Sequence, residues 1–490
     1  LENLVTLLDE IRPHLATETP VGTAMPELPP NDHLAPANQP QAVADVPAIP
    51  TFLPEQLTPL IGRERELAEL IERLHQPNVR LLTLVGAGGM GKTTLALAVA
   101  HSILDFGFEI LDLAESSQLN PKSRPEAVAS QARQNRKYTD GIFFVALEPL
   151  TSTAALPSAI AATLGLTLQG SDLGQTLLQQ LRHKQLLLIL DNVEHLLHET
   201  NGADRGDGSG IRFISELLQA APGVQILATS RERLNLRGEH LYPVQPLAFT
   251  EQATLAEAAA APAVQLFIQS VQRSNAEFTL TAEELPCVLR ICRLVQGMPL
   301  GLELAAANVD LLPLAEIARE IERSAAFLAV DWRDLPERQR SMRAVFAWSW
   351  QLLDAIEQRT LRQLAIFRGG FTREAAQQIA GAGLSALTGL MRKSLLQRVE
   401  TEGNERFQIH ELLRQFAAEQ LHTDPQAEQA VRSHHAAYYL QWLAAQEPDM
   451  VGPRSTATLQ AIETELGNIN GAWLWAVEQR DTTLLGAVLA

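Results

Sequence analysis

A short apolar run, "RLLTLV" from Arg80 to Val85, passes directly into "GAGGMGKTTLALAVA". Gly86 to Thr93 fits the phosphate-loop pattern G-x-x-x-x-G-K-[ST], and it stands where that pattern must stand, between a predicted strand and a predicted helix. Gly86, Gly88, Gly89 and Gly91 let the backbone curl around Met90 so that consecutive N–H groups converge on an anion, and the positive end of the following helix adds to the field. Lys92 is placed to reach the terminal phosphates, Thr93 to offer a hydroxyl to Mg²⁺, and Thr94 opens the helix behind them. A glycine turn carrying a chance lysine is the bland alternative, and the matching flanks disfavour it.

A second element supports a nucleotide site independently. "LLLILDN", Leu186 to Asn192, is a buried strand pattern ending in Asp191, whose carboxylate at the strand's carboxyl end suits Mg²⁺ and its waters. Asn192 follows where a vigorous ATPase needs a carboxylate to activate the attacking water, and an amide cannot accept that proton. Glu194 is the substitute within reach; otherwise hydrolysis is slow. "ATSRERL", Ala228 to Leu234, follows a further strand pattern and makes Arg231 the candidate partner of a γ-phosphate.

These residues need a parallel sheet to hold them. "RLLTLV", "GIFFVAL" (Gly141 to Leu147), "QLLLIL" (Gln185 to Leu190) and "VQILAT" (Val224 to Thr229) alternate with helical patterns, which argues for strands covered by helices on both faces. An amphipathic helix is expected within "LTPLIGRERELAELIERL", Leu57 to Leu74, and the polar residues 109–140 read as an insertion. "NGADRGDGSG", Asn201 to Gly210, reads as a surface loop whose "RGD" is a chance occurrence. Past Pro246 strand signals nearly vanish: helical patterns fill Thr250 to Ser324 and Ser341 to Leu421. Within the second block "LLQRVETEGNERFQIH" reads as a short hairpin, the outline of a winged helix. The tail carries small and aromatic residues at the spacing of stacked helical hairpins.

The fold class expected is therefore multidomain α/β plus α. Residues 1–19 would be the end of a preceding domain, with a helical stripe from Leu1 to Ile11, and 20–57 a linker in which prolines make up roughly a quarter of residues 20–54. A phosphate-loop nucleotide-binding domain spans 58–247, a helical lid 248–330, a winged helix 331–422 and the start of a helical repeat 423–490. The absence of an initial methionine and the helical pattern at the other end suggest a piece of something longer.

Composition narrows the partners. The chain of 490 residues carries 39 Lys and Arg against 57 Asp and Glu, a formal charge of −18, with no segregated basic patch, so nucleic acid is not the expected partner. Cys287 and Cys292 sit in an apolar helical pattern that suits neither a metal site nor a disulfide framework, which favours reduced thiols in a cytoplasmic protein. No run approaches the roughly 18 apolar residues that span a bilayer.

The order "LIGRERELAEL", "GAGGMGKTT", "LLLILDN", "ATSRERL", "CRLVQGMPLGLELAA", "RFQIHELLRQFA" resembles the NB-ARC branch of the signal-transduction ATPases with numerous domains. It is similar in particular to bacterial members related to large transcriptional regulators with tetratricopeptide repeats. The resemblance places Ile61, Gly62 and Arg63 near the adenine and ribose, sets Pro299 of "GMPL" against the adenine, and brings His410 to the β-phosphate of ADP. Glu411 departs from the aspartate that eukaryotic members carry after that histidine. It implies a switch, closed with ADP and open with ATP, that hydrolyses slowly, requires Mg²⁺, self-associates on activation and answers to a protein or small-molecule inducer. A constitutive ATPase and a regulator whose winged helix reads DNA are the rival readings.

Overall fold

A computed structural model describes residues 50–55, 59–116, 137–148, 150, 152–170, 172–196, 209–330, 340–401, 404–449 and 455–489. The stripe at Leu1 to Ile11, most of the Pro-rich segment, residues 117–136 and most of the loop before Ser209 lie outside them. All that follows concerns the compact unit Ala48–Ala490.

The fold is multidomain α/β plus α. Six strands, β1 (Thr51–Phe52), β2 (Leu81–Val85), β3 (Gly141–Ala146), β4 (Leu186–Asp191), β5 (Val224–Ser230) and β6 (Glu239–Pro243), form one sheet in the order β1-β3-β4-β5-β2-β6. Every pairing is parallel. The middle strands are apolar without interruption because both faces are covered. In β4, Leu187 and Ile189 face a cluster containing Leu95 and Val99, whereas Leu186, Leu188 and Leu190 face one containing Ile160, Leu177 and Ile214. The helices in this part are α1 (Glu64–His75), α2 (Lys92–Ser116), α3 (Leu156–Thr163), α4 (Leu173–Leu181) and α5 (Ser209–Ala220).

Three expectations need correction here. The helix within Leu57 to Leu74 begins only at Glu64, because Pro59 precedes it and Gly62 adopts φ +64. Residues from 109 do not begin as a polar insertion: α2 carries on as helix to Ser116. Two edge strands, β1 and β6, were not anticipated. One is only two residues long, and the other, "EHLYP", ends in a proline that an edge strand tolerates.

After the sheet come α6 (Leu255–Ala260), α7 (Pro262–Gln272), α8 (Leu285–Leu294), α9 (Pro299–Ala306) and α10 (Leu314–Arg323). Their apolar faces, with Phe267, Ile291 and Leu302 fully buried, join the cluster on the α2 side of the sheet. The next block comprises α11 (Met342–Gln351), α12 (Ala355–Leu364), α13 (Arg373–Ala380), α14 (Leu384–Arg392), the antiparallel hairpin β7 (Gln397–Thr401) and β8 (Asn404–Gln408), and α15 (Glu411–His422). Phe371 and Phe407 exchange backbone hydrogen bonds of 2.9 and 2.8 Å, which ties the loop before α13 to the hairpin. The long α16 (Pro425–Gln446) and α17 (Ser455–Gln479), with α18 (Thr482–Leu489), complete the chain.

One turn fixes the entry to α9. Gln296 and Gly297 both have positive φ at the end of α8, and Gly297 O accepts from Leu247 N at 2.9 Å. A Cβ on Gly297 would lie 2.2 Å from Leu247 O, so only glycine fits. Gly297→Ala should therefore destabilise the protein by about 2 kcal/mol or more, read as a lowered denaturation midpoint of the segment containing α6 to α10.

Candidate nucleotide site

Strand order explains how distant motifs meet. β5 lies between β4 and β2, so the carboxyl ends that carry Asp191, Thr229 with Arg231, and the phosphate loop are adjacent. Such a crevice at the carboxyl edge of a parallel sheet is where α/β folds bind ligands.

The loop itself has the conformation its glycines permit. Gly89 and Gly91 adopt φ +82 and +78, and Lys92 opens α2. The Lys92 ammonium donates to Gly86 O at 2.8 Å and Ala87 O at 2.9 Å, which holds the side chain back along the loop. Thr94, half-buried, follows on the first turn of α2.

At its floor, Asp191 is 6% exposed. Its Oδ1 accepts from Thr93 Oγ1 at 2.7 Å and from Thr229 Oγ1 at 2.6 Å, while Oδ2 accepts from Asn192 Nδ2 at 3.0 Å. Burial pushes the Asp191 carboxyl above its ordinary range, and the Thr229 and Thr93 hydroxyls oppose that shift. A buried carboxylate beside a hydroxyl at a helix start offers hard oxygens of the kind a divalent cation takes. Among the described residues no cluster of three His, Cys, Asp or Glu side chains stands together. Mg²⁺ here would therefore rest on Thr93 and Asp191, with phosphate oxygens and waters completing its shell.

Glu194 and Arg231 meet directly. Arg231 Nε lies 3.2 Å from Glu194 Oε1, and both side chains are buried. Glu194 Oε2 has no hydrogen-bond partner among the described residues, so one carboxylate oxygen is held by the guanidinium and the other is not. The same guanidinium donates to Val345 O at 3.2 Å and to Ser349 Oγ, both on α11, and Ser394 Oγ donates to Arg231 O at 2.7 Å. Arg231 thus reaches away from the sheet into the block that begins at α11, while lying against the phosphate loop: a Cβ on Gly88 would stand 3.0 Å from Arg231 Nη2.

Two further segments touch the loop. A Cβ on Gly88 would also fall 2.6 Å from Val345 Cγ1, so α11 packs directly on that glycine. From the other side Leu300 N donates to Gly89 O at 3.2 Å, and Pro299, at the first turn of α9, approaches Gly91 to 3.9 Å from its ideal Cβ. Arg63, buried before α1, donates to Met90 O at 3.3 Å and to Glu66. Ile61 and Gly62 are half-buried beside it, with Gly62 closed in by Pro262.

His410 caps α15 and spans a different joint. Leu412 N donates to His410 Nδ1 at 3.3 Å, so the proton sits on Nε2, which donates to Val295 O at 3.1 Å. Although part of the residue reaches the surface, both ring nitrogens are engaged. Burial pushes the imidazole down to about 4, which keeps it neutral at physiological pH. Ala87, Gly88, Met90, Met298 and His410 line one narrow cleft with Ser349 and Ser394. Val345, Ser349, Val295 and Ser394 carry no signal of this role in the sequence, and Thr229 carries one only through its place two residues before Arg231 near a strand end.

Residues 47–285 match the family model described as Novel STAND NTPase 1. Over 412 residues the chain is 31% identical to a Mycobacterium tuberculosis (strain ATCC 25618 / H37Rv) protein named as a candidate HTH-type transcriptional regulator, covering 82% of this chain and 40% of that protein. A second, uncharacterised protein of the same strain is 27% identical over 381 residues, covering 76% of this chain and 84% of the relative. A solved STAND protein with a tetratricopeptide repeat sensor from Pyrococcus horikoshii is similar at 16% identity and a TM-score of 0.27, over 79% of this chain and 46% of its own. The chain spans well under half of the regulator it matches.

Asp191→Asn should keep the fold, since an amide can still receive the hydroxyls of Thr93 and Thr229. It should remove the gain in ATP affinity that Mg²⁺ confers, a loss of about tenfold or more measurable by titration with and without the cation.

Proposed function

We propose that this chain is a nucleotide-controlled switch in which ADP favours the closed arrangement described above and ATP an open one, with slow hydrolysis returning it to rest. One observation carries the reading: α9 and α11, from separate segments, both press on the phosphate loop at Gly89 and Gly88. A third phosphate arriving at Lys92 and Thr93 must compete for space and charge with Val345 and with the Arg231 to Glu194 pair. A diphosphate makes less of that demand. In this reading residues 248–330 act as a lid, 331–422 as a winged-helix clamp and 423–490 as the beginning of a helical repeat.

The coupling has a required size. Moving the population from mostly closed to mostly open takes about 5 kcal/mol of differential affinity between the two nucleotides. Arg231 and His410 supply the discriminating contacts, one joining the sheet to α11 and the other joining α15 to the end of α8. Asn192, which takes up the positive φ of +62 after β4, keeps an amide where a faster hydrolase needs a base. Opening would free the surfaces now packed on the loop for self-association, in response to a protein or small-molecule inducer.

His410→Ala removes the bond to Val295 O and the cap of α15 together. It should raise the dissociation rate of fluorescent ADP by about tenfold in stopped-flow chase, equivalent to about 1.4 kcal/mol, and shift the purified protein toward oligomer. An unchanged release rate and an unchanged monomer fraction would sink the clamp.

A further inference from the structure

Between α12 and α13 the backbone turns through Gly369 and Gly370, both left-handed at φ +81 and +93. One side of this turn lies on the hairpin. A Cβ on Gly370 would stand 2.9 Å from Phe407 O, and Phe371 continues the contact through its two backbone bonds to Phe407.

The other side lies on α17. Asn468, fully buried, accepts from Arg368 N at 2.7 Å through Oδ1 and donates to Gly370 O at 3.0 Å through Nδ2, so one amide serves both ends of the turn. The same Nδ2 donates to Glu465 Oε2 at 2.8 Å, and Glu465 Oε1 pairs with Arg406 of β8. Both charged side chains of that pair are buried. The helix comes this close because residue 467 is glycine: a Cβ there would fall 2.9 Å from Arg368 O. Residues 465 and 468, neighbours on one face of α17, thereby grip the hairpin and the turn together.

What the hairpin carries next is His410. β8 ends at Gln408, and two residues later His410 Nε2 meets Val295 O. Gly369, Gly370, Gln408 and Ile409 line a small cavity with Gln296, the residue after Val295. From Gln296 the chain passes through Gly297 to Leu300, whose N–H reaches Gly89 of the phosphate loop. A contiguous series of packed and hydrogen-bonded segments therefore joins α17 to that loop.

We propose that Asn468 and Glu465 are positioning residues for His410: α17 fixes the turn before α13 and the hairpin, and so sets the hold of His410 on the end of α8. The buried amide and the buried ion pair are satisfied together in one placement of the helix, so displacing α17 breaks both and loosens the hairpin. The tail helices α16 to α18 would in this way act on a bound nucleotide without touching it. This inference rests on the reading of His410 as a clamp given above.

Stopped-flow chase of fluorescent ADP from the whole chain tests it. Asn468→Ala should speed ADP release by about tenfold, as expected of His410→Ala, and the double variant should release no faster than His410→Ala alone, because Asn468 acts through that residue. Gly467→Ala keeps the hydrogen-bonding groups of Asn468 but presses on Arg368 O, and should speed release about threefold; it decides the matter if Asn468→Ala does not fold. Release at the wild-type rate in Gly467→Ala or in a folded Asn468→Ala, with His410→Ala fast, overturns the positioning role and leaves the clamp standing. Wild-type rates in all three overturn the clamp as well. Full additivity in the double variant, about a hundredfold, also overturns the positioning role, since the two residues would then act separately.

Discussion

The close approach of Val345 and Arg231 to Gly88 is the contact on which the rest of the arrangement depends. No other residue type leaves room there, because a Cβ would lie 2.6 Å from Val345 Cγ1. That single absence of a side chain lets a helix from the second half of the molecule rest on the loop that would cradle phosphates. Leu300 N on Gly89 O brings in α9 one residue further along. The sheet order then matters for a simple reason: with β5 between β4 and β2, the phosphate-loop motif, Asp191 and the Arg231 that reaches α11 are neighbours.

Electrostatics reinforces the packing. The floor of the site holds Asp191 and Glu194, two buried carboxylates, of which only the first has partners on both oxygens. Thr93, Thr229 and Asn192 surround Asp191 with donors, while Arg231 takes one oxygen of Glu194. A cation at Asp191 would lower the cost of its burial, and any movement of Arg231 toward phosphate would leave Glu194 without its charge partner. Removing one member of a buried pair is expensive, which is how occupancy of a small site can be felt by a whole helix. His410 adds a neutral, tautomer-fixed bridge at the other joint, where no charge has to be moved.

Much of this was legible in the sequence because it is local. The phosphate loop is contiguous, Asp191 ends a continuous apolar strand, and Arg231 follows another, so spacing and flanks sufficed to nominate them. The hairpin around Asn404 was legible from its alternation. What could not be read were partners brought by folding. Ser349 lies inside "FAWSW" with nothing to separate it from an ordinary helical serine, and Val345 resembles any core valine. The edge strand Glu239–Pro243 escaped notice because one neighbour on a sheet edge leaves little apolar pattern. The continuation of α2 to Ser116 is hidden by the polar composition of 109–140, which reads as an insertion. Arg231 and His410 were nominated as phosphate ligands, and the structure places their donors on Val345, Ser349 and Val295.

The most direct measurement is to denature the freshly purified protein and identify by chromatography what nucleotide is released. A closed switch whose lid and clamp both press on the phosphate loop should release ADP in a ratio of about one per chain, because exchange is slow when the site is covered. Release of no nucleotide, together with rapid free exchange of added ATP and ADP, would contradict the switch and leave the phosphate loop as an open site.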